Sequence, residues 1–201
     1  MKSVFNFIIK PKSNRYDNIK KIDNKELILN TKIFSHQYVS RIGIVLEIPT
    51  AYETDINIGD EVIVHHNVFR RWHNQYDEEK NSKNYFEEDK YLVYLDQIFA
   101  YKANNKWKAL DGYCFVKPIE KIEDSIIEDN EKERPLIGVL KYLNNNLKKM
   151  GLKRNDLVGF TPESEYEFVV EKEKLYRILI KDITIKYEYQ GDETEYNPSW
   201  A

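Results

Sequence analysis

Cysteine is almost missing from this 201-residue chain. Cys114 stands alone, so no intrachain disulfide staples the fold, and its place in the apolar run Tyr113–Val116 is that of a buried structural thiol. Absence of disulfides fits a reducing cytoplasm. Long apolar runs are missing too. No segment approaches the roughly 18 apolar residues of a membrane span, and the N-terminal run is broken by Asn6 and closed by Lys10-Pro11-Lys12, too short for a signal peptide. Neither sign of charge dominates: 31 Lys and Arg against 34 Asp and Glu, interleaved, give a net charge of −3 and no footprint of a duplex-DNA binder. Lysine and asparagine far outnumber arginine and glycine, a bias of A+T-rich coding and not of mechanism. Catalytic signatures are absent as well: no nucleophile elbow, no phosphate-cradling glycine loop, no HExxH. With so many carboxylates, close pairs are inevitable and spacing alone identifies no acid–base dyad. The sequence therefore reads as a non-enzyme without a cofactor or a metal.

What the chain does have is an internal echo. Four short signals occur twice, in the same order, about 95 residues apart. Phe7-Ile8-Ile9-Lys10-Pro11 returns as Cys114-Phe115-Val116-Lys117-Pro118. Ile42-Gly43-Ile44-Val45-Leu46 returns as Ile137-Gly138-Val139-Leu140-Lys141. Ile58-Gly59-Asp60-Glu61-Val62 returns as Arg154-Asn155-Asp156-Leu157-Val158, and Gln97-Ile98-Phe99-Ala100-Tyr101 as Asp182-Ile183-Thr184-Ile185-Lys186. Between them lie short runs rich in β-branched and aromatic residues, bounded by Gly, Pro, Asp or Asn. They predict strands over Val4–Ile9, Ile42–Ile48, Glu61–His65, Tyr91–Tyr94 and Ile98–Tyr101 in the first half. In the second half they predict Tyr113–Val116, Leu136–Tyr142, Leu157–Phe160, Tyr166–Val170, Leu175–Ile180 and Ile183–Tyr189. Leu143–Met150 has room for a helical turn or two before Gly151, which suits a C-terminal cap. Many short strands without long helices indicate an all-β fold of two small modules in tandem.

The expected modules cover 1–104 and 111–190, with a C-terminal tail at 191–201. Trp107 in the join implies packing between the two modules rather than free swinging. Three segments interrupt the strands: the polar 12–40, its shorter acidic counterpart 120–134, and the charged, aromatic 69–89, which has no equal in the second half. Loops of such length inside compact domains are usually functional or disordered.

The order of these signals resembles the GroES-type co-chaperonin family. The family pattern of a Gly-led strand is matched by Ser40-Arg41-Ile42-Gly43-Ile44-Val45-Leu46, its Gly-Asp turn and strand by Ile56-Asn57-Ile58-Gly59-Asp60-Glu61-Val62-Ile63-Val64, and its closing strand by Asp96-Gln97-Ile98-Phe99-Ala100. The second half matches at Gly138, at Asp156-Leu157-Val158 and at Lys181-Asp182-Ile183, with Asn155 in place of the turn glycine. The turn needs a residue at positive φ and a side-chain acceptor, which Gly59-Asp60 supplies and Asn155-Asp156 also tolerates. After the turn, Val62 and Val64 alternate with Glu61 and Ile63, as for one face packed into a barrel. The resemblance implies two GroES-like small β-barrels in tandem, as in a double or phage-encoded co-chaperonin.

It also implies where a partner would bind. In that family an apolar tripeptide on a long loop docks on a chaperonin ring. Leu27-Ile28-Leu29 fits this requirement and Ile126-Ile127 is a second, poorer candidate; the competing reading of the triplet is another strand. The stretch His65-His66-Asn67-Val68-Phe69-Arg70-Arg71-Trp72-His73 is the other candidate. Adjacent histidines on a strand point to opposite faces, which opposes a metal site, and the carboxylates of 77–79 and 87–89 oppose single-stranded nucleic acid. Phe69, Arg70, Arg71 and Trp72 are therefore read as a protein-contact surface. The tail, which carries Tyr196-Asn197-Pro198-Ser199-Trp200, either docks on the second module or anchors a partner. The expected partners are a chaperonin ring or, if the protein serves an assembly, a virion protein. A homo-oligomer in the host cytoplasm or the virion is expected, without nucleic acid or membrane.

Overall fold

The computed structural model describes residues 2–16, 19–22, 25–28, 38–121, 132–188 and 193–201, with backbone alone for 19–22 and 25–28. The chain is all-β and divides into two compact units, Met1–Lys106 and Trp107–Ala201. Unit 1 contains β1 (Phe7–Pro11), β2 (Ile19–Ile22), β3 (Lys25–Ile28), β4 (Ile42–Glu47), β5 (Glu61–Val64), β6 (Arg71–His73), β7 (Glu79–Asn81), β8 (Tyr85–Glu87), β9 (Lys90–Val93) and β10 (Ile98–Ala103). β11 (Lys106–Ala109) carries the chain across the boundary. Unit 2 follows with β12 (Tyr113–Glu120), β13 (Glu133–Tyr142), the short helix α1 (Asn145–Lys149), β14 (Leu157–Phe160), β15 (Tyr166–Val170), β16 (Glu173–Leu179) and β17 (Ile183–Tyr187). Among the described residues no helix is long and apolar enough to cross a membrane.

The echo in the sequence is a repeat of topology. Unit 1 orders its main strands β10-β5-β4-β1-β9-β8, and unit 2 orders β17-β14-β13-β12-β16-β15. These are the same six strands in the same order. The registers repeat as well. Ile9, Lys10 and Pro11 face Val45, Ile44 and Gly43; Val116, Lys117 and Pro118 face Leu140, Val139 and Gly138. Each pair is interrupted at the matching point, between Ile8 and Ile9 and between Phe115 and Val116. An extra residue of this kind twists a strand locally and re-aims its side chains.

The turn before β5 and β14 is conserved in its hydrogen bonds even where its sequence changes. Gly59 has φ 91° and Asn155 has φ 71°. Asp60 Oδ2 accepts from Asn57 N at 2.8 Å, and Asp156 Oδ2 accepts from Lys153 N at 2.7 Å. The turns then bond to the same point of the neighbouring strand, Gly59 N to Val45 O and Asn155 N to Leu140 O, both at 2.8 Å. The glycines opposite the prolines serve a different end. A Cβ on Gly138 would lie 2.5 Å from Lys117 O and 2.5 Å from Val116 Cγ1, so only glycine lets β12 and β13 approach this closely.

Both interiors are aliphatic and aromatic. In unit 1, Phe7, Ile9, Val45, Val62, Val93 and Ile98 are fully or almost fully buried. In unit 2, Cys114, Val116, Leu140, Leu143, Leu147, Val158, Phe160 and Ile178 form one cluster, each such aliphatic side chain contributing about 1.5–3 kcal/mol. Cys114 donates its thiol to Ile178 O at 3.6 Å, and burial pushes its pKa up to about 12. The one-sided burial expected of β5 is corrected here: Ile63, expected on the opposite face from Val62 and Val64, is also fully buried. α1 is capped by Asn144, which accepts from Leu147 N, and Gly151 follows at φ 85°. Trp107 stacks on Tyr142 at 6.0 Å, inside unit 2. The tail is docked on the same unit: Tyr196 N donates to Pro118 O, Asn197 Oδ1 accepts from Lys174 N, and Glu195 pairs with Lys141.

Candidate functional site

The long segment between β1 and β4 leaves and re-enters unit 1 through a closed neck. Lys12 N donates to Ile42 O and Ser40 N to Arg15 O, both at 3.0 Å, while Tyr16 and Val39 form an isolated antiparallel bridge. Beyond the neck the backbone forms a hairpin, β2 on β3, in which Ile19 faces Ile28 and Lys20 faces Leu27. Leu27 and Ile28 therefore lie on a strand of a small separate ribbon; Leu29 lies outside the described residues, as do Ile126 and Ile127.

The 69–89 segment is also built rather than loose. β6 and β7 pair Arg71 with Asn81, Trp72 with Lys80 and His73 with Glu79. Asn74 ties the turn between them, its Oδ1 accepting from Tyr76 N and Glu78 N at 3.0 Å. Of the candidate contact residues here, Phe69 has no exposed surface. It packs edge-on against Tyr91 at 4.8 Å and belongs to the core, so it cannot present itself to a partner. Trp72 remains 45% exposed, with Nε1 donating to Asn81 O, and Tyr76 at the tip is 75% exposed. Arg71 pairs with Glu79 at 2.9 Å. His65 and His66 follow β5 in a turn, not on a strand, and their rings stack at 4.3 Å instead of pointing apart. Among the described residues no group of three or more His, Cys, Asp or Glu side chains is placed to hold a metal ion.

The neck and this insertion meet at Arg15. Its Nε donates to Phe69 O at 2.8 Å, Nη1 to Asn81 Oδ1 at 2.7 Å and Nη2 to Arg70 O at 3.4 Å. The guanidinium lies over the rings of Tyr91 and Tyr85, at 5.3 and 5.7 Å. Beside it, Tyr16 Oη accepts from Arg71 N at 2.6 Å. Burial lowers the Arg15 pKa and raises that of Tyr16; it pushes Tyr91 up to about 12. Pattern reading missed Arg15 because a lone polar residue in a polar loop carries no periodicity. The available signal was an arginine in a stretch otherwise supplied with lysine.

Unit 2 places Tyr176 where unit 1 places Tyr91, opposite Val116 as Tyr91 is opposite Ile9. Here too the ring carries a cation and meets the base of the connection between the first two strands. Lys174 Nζ lies 5.0 Å from the Tyr176 ring, 2.5 Å from Glu133 Oε1 and 3.1 Å from Glu167 Oε2. Tyr176 Oη donates to Glu133 Oε2 at 2.6 Å. Burial works against the Lys174 ammonium, but hydrogen bonds to Glu133, Tyr176 and Glu167 outweigh it and raise its pKa. Burial, then the Glu133 bond, pushes Tyr176 up to about 12. Trp200 of the tail lies over Lys174 at 5.8 Å, and a groove of about 580 Å³ opens beside it, lined among others by Arg134, Leu136, Phe160 and Tyr196. No protein-family model matches the chain, and no curated protein matches its sequence.

Proposed function

We propose that the chain is a non-enzymatic, tandem GroES-like protein that acts as a co-chaperonin-type cap or adaptor on a chaperonin ring. One observation carries the reading: two units with one strand order, one set of registers and one Gly-Asp-type turn, each with a long connection between its first two sheet strands. Of these, the turn and the long connection are among the features on which the sequence resembles that family. Leu27, Ile28 and Leu29 are the primary anchor and Ile126 and Ile127 the second. Burying three aliphatic side chains yields about 1.5–3 kcal/mol each, and ordering the segment that bears them costs about 1–2 kcal/mol per residue. One anchor binds weakly, so the protein acts as a homo-oligomer whose several anchors bind by avidity. No cofactor is used; nucleotide hydrolysis belongs to the ring. The setting is a reducing cytoplasm.

A second reading, a structural or decoration protein of a particle such as a virion, is favoured by the β6–β7 hairpin. Its exposed Trp72 and Tyr76 sit on a well-braced ribbon that ring binding does not require. Co-sedimentation with a purified double-ring chaperonin, with and without an ATP analogue, separates the two. Nucleotide-dependent binding supports the cap. No binding in either state, with self-assembly into large particles, supports the structural reading and removes the first.

A further inference from the structure

We infer that Arg15 is a positioning residue that locks the neck of the 12–40 segment onto the 69–89 insertion, and so fixes the direction in which the β2–β3 hairpin leaves unit 1. The neck bonds at Lys12, Arg15, Tyr16, Val39 and Ser40 hold two backbone segments side by side. Contacts of that kind close a loop without fixing how it tilts about the closure. Tilt is fixed by bonds made away from the neck, and Arg15 supplies three of them to two separate parts of the insertion: Phe69 and Arg70 on one side, Asn81 on the other. Tyr16 adds a fourth, at Arg71 N.

The chemistry of the seat argues for geometry over charge. Every described hydrogen bond of Arg15 goes to a carbonyl or amide oxygen, although acidic side chains abound in the insertion. Burial lowers its pKa, so the placement has an electrostatic cost that two tyrosine faces only partly offset. A planar fork with fixed donor directions reads three such oxygens together; an ammonium does not. The acceptors are themselves held. Phe69 is buried on Tyr91, Ser82 Oγ donates to Val68 O at 2.6 Å, and Asn81 O takes the Trp72 indole. Insertion and neck thus move as one piece. Unit 2 lacks the insertion: β14 runs to β15 through residues 161–165 alone, and the equivalent tyrosine is served by Lys174 and Glu133. The extra segment of unit 1 is therefore the seat of its loop.

The use of the hairpin as an anchor rests on the proposed function, but the coupling is measured on the isolated chain, so the two can fail separately. Trypsin has sites at Lys20, Lys21 and Lys25 in the hairpin. Initial cleavage there under native conditions is compared for wild type, Arg15→Ala, Arg15→Lys and a core control, Val45→Ala. We expect Arg15→Ala to raise the rate about tenfold, since cleavage tracks the population of the released form. Arg15→Lys should raise it nearly as much, and Val45→Ala should leave it unchanged despite an equal or larger fall in Tm. Cleavage of Arg15→Ala at the wild-type rate overturns the inference, as does an equal rise in the control. Should Arg15→Ala fail to fold, Asn81→Ala removes one acceptor, leaves the tyrosine faces, and carries the same expectation.

Discussion

Tyr91 and Tyr176 occupy one position in two copies of a sheet, the first opposite Ile9 and the second opposite Val116, and each ring carries a cation at the base of its unit's first long connection. The position is shared; the chemistry is not. Tyr91 presents its face to Arg15, while Tyr176 adds a hydroxyl bond to Glu133. Tyr176→Phe should therefore cost about 1.5–3 kcal/mol, the loss of a hydrogen bond to a charged group. Tyr91→Phe, which keeps its face, should cost clearly less. Urea unfolding of both variants checks the order; equal losses would contradict the difference drawn between the two seats.

Burial raises the Tyr91 pKa to about 12 from an ordinary value of 10.0. The folded state therefore holds the phenolic proton where the unfolded chain releases it. Stability from this group is fully present below pH 10 and is lost as pH rises towards 12. Tm measured against pH should fall less steeply for Tyr91→Phe than for wild type across that window. Parallel curves would show that Tyr91 titrates alike in both states.

Asn155 sits at φ 71° in the turn that unit 1 makes with glycine. Asn155→Gly should be neutral or slightly stabilising, and Asn155→Val should cost about 1–2 kcal/mol through left-handed strain. Chemical denaturation reads both. A harmless valine would mean the turn relaxes to another conformation.

The two strand glycines that face prolines differ in their surroundings. At Gly138 a new methyl meets backbone, Lys117 O at 2.5 Å; at Gly43 the nearest atom is a side-chain methyl, Ile9 Cδ1 at 2.8 Å, and the nearest backbone atom, Lys10 O, lies at 3.1 Å. Gly138→Ala should cost at least about 1–3 kcal/mol as an overpacked site, and Gly43→Ala less. Thermal unfolding ranks them, and the reverse order would contradict the strand approach described for β12 and β13.

These comparisons also show where the sequence was informative. Leu157–Phe160 and Tyr166–Val170 are strands to the residue, because a short β-branched or aromatic run bounded by turn formers has few alternatives. The Gly59 and Asn155 turns were legible because positive φ restricts residue choice so sharply. The ribbons β2–β3 and β6–β7 were not. Lys20, Lys21, Glu79 and Lys80 give no apolar alternation, and backbone pairing between two short polar strands leaves no periodic mark in a sequence. Phe69 misled for the opposite reason: an aromatic beside two arginines reads as surface, yet Tyr91 on a distant strand buries it. Arg15 hydrogen-bonds residues 54 to 66 positions away, a link that no local pattern carries.

In the proposed function, unit 1 engages a chaperonin ring through the apolar triplet on its first connection. Its most direct test is the yield of a chaperonin-dependent substrate refolded with wild type or with Leu27→Ala/Ile28→Ala/Leu29→Ala. Wild type should support refolding in the presence of ATP, and the triple variant, with unchanged Tm, should lose most of that activity. Equal yields from the two proteins would contradict it.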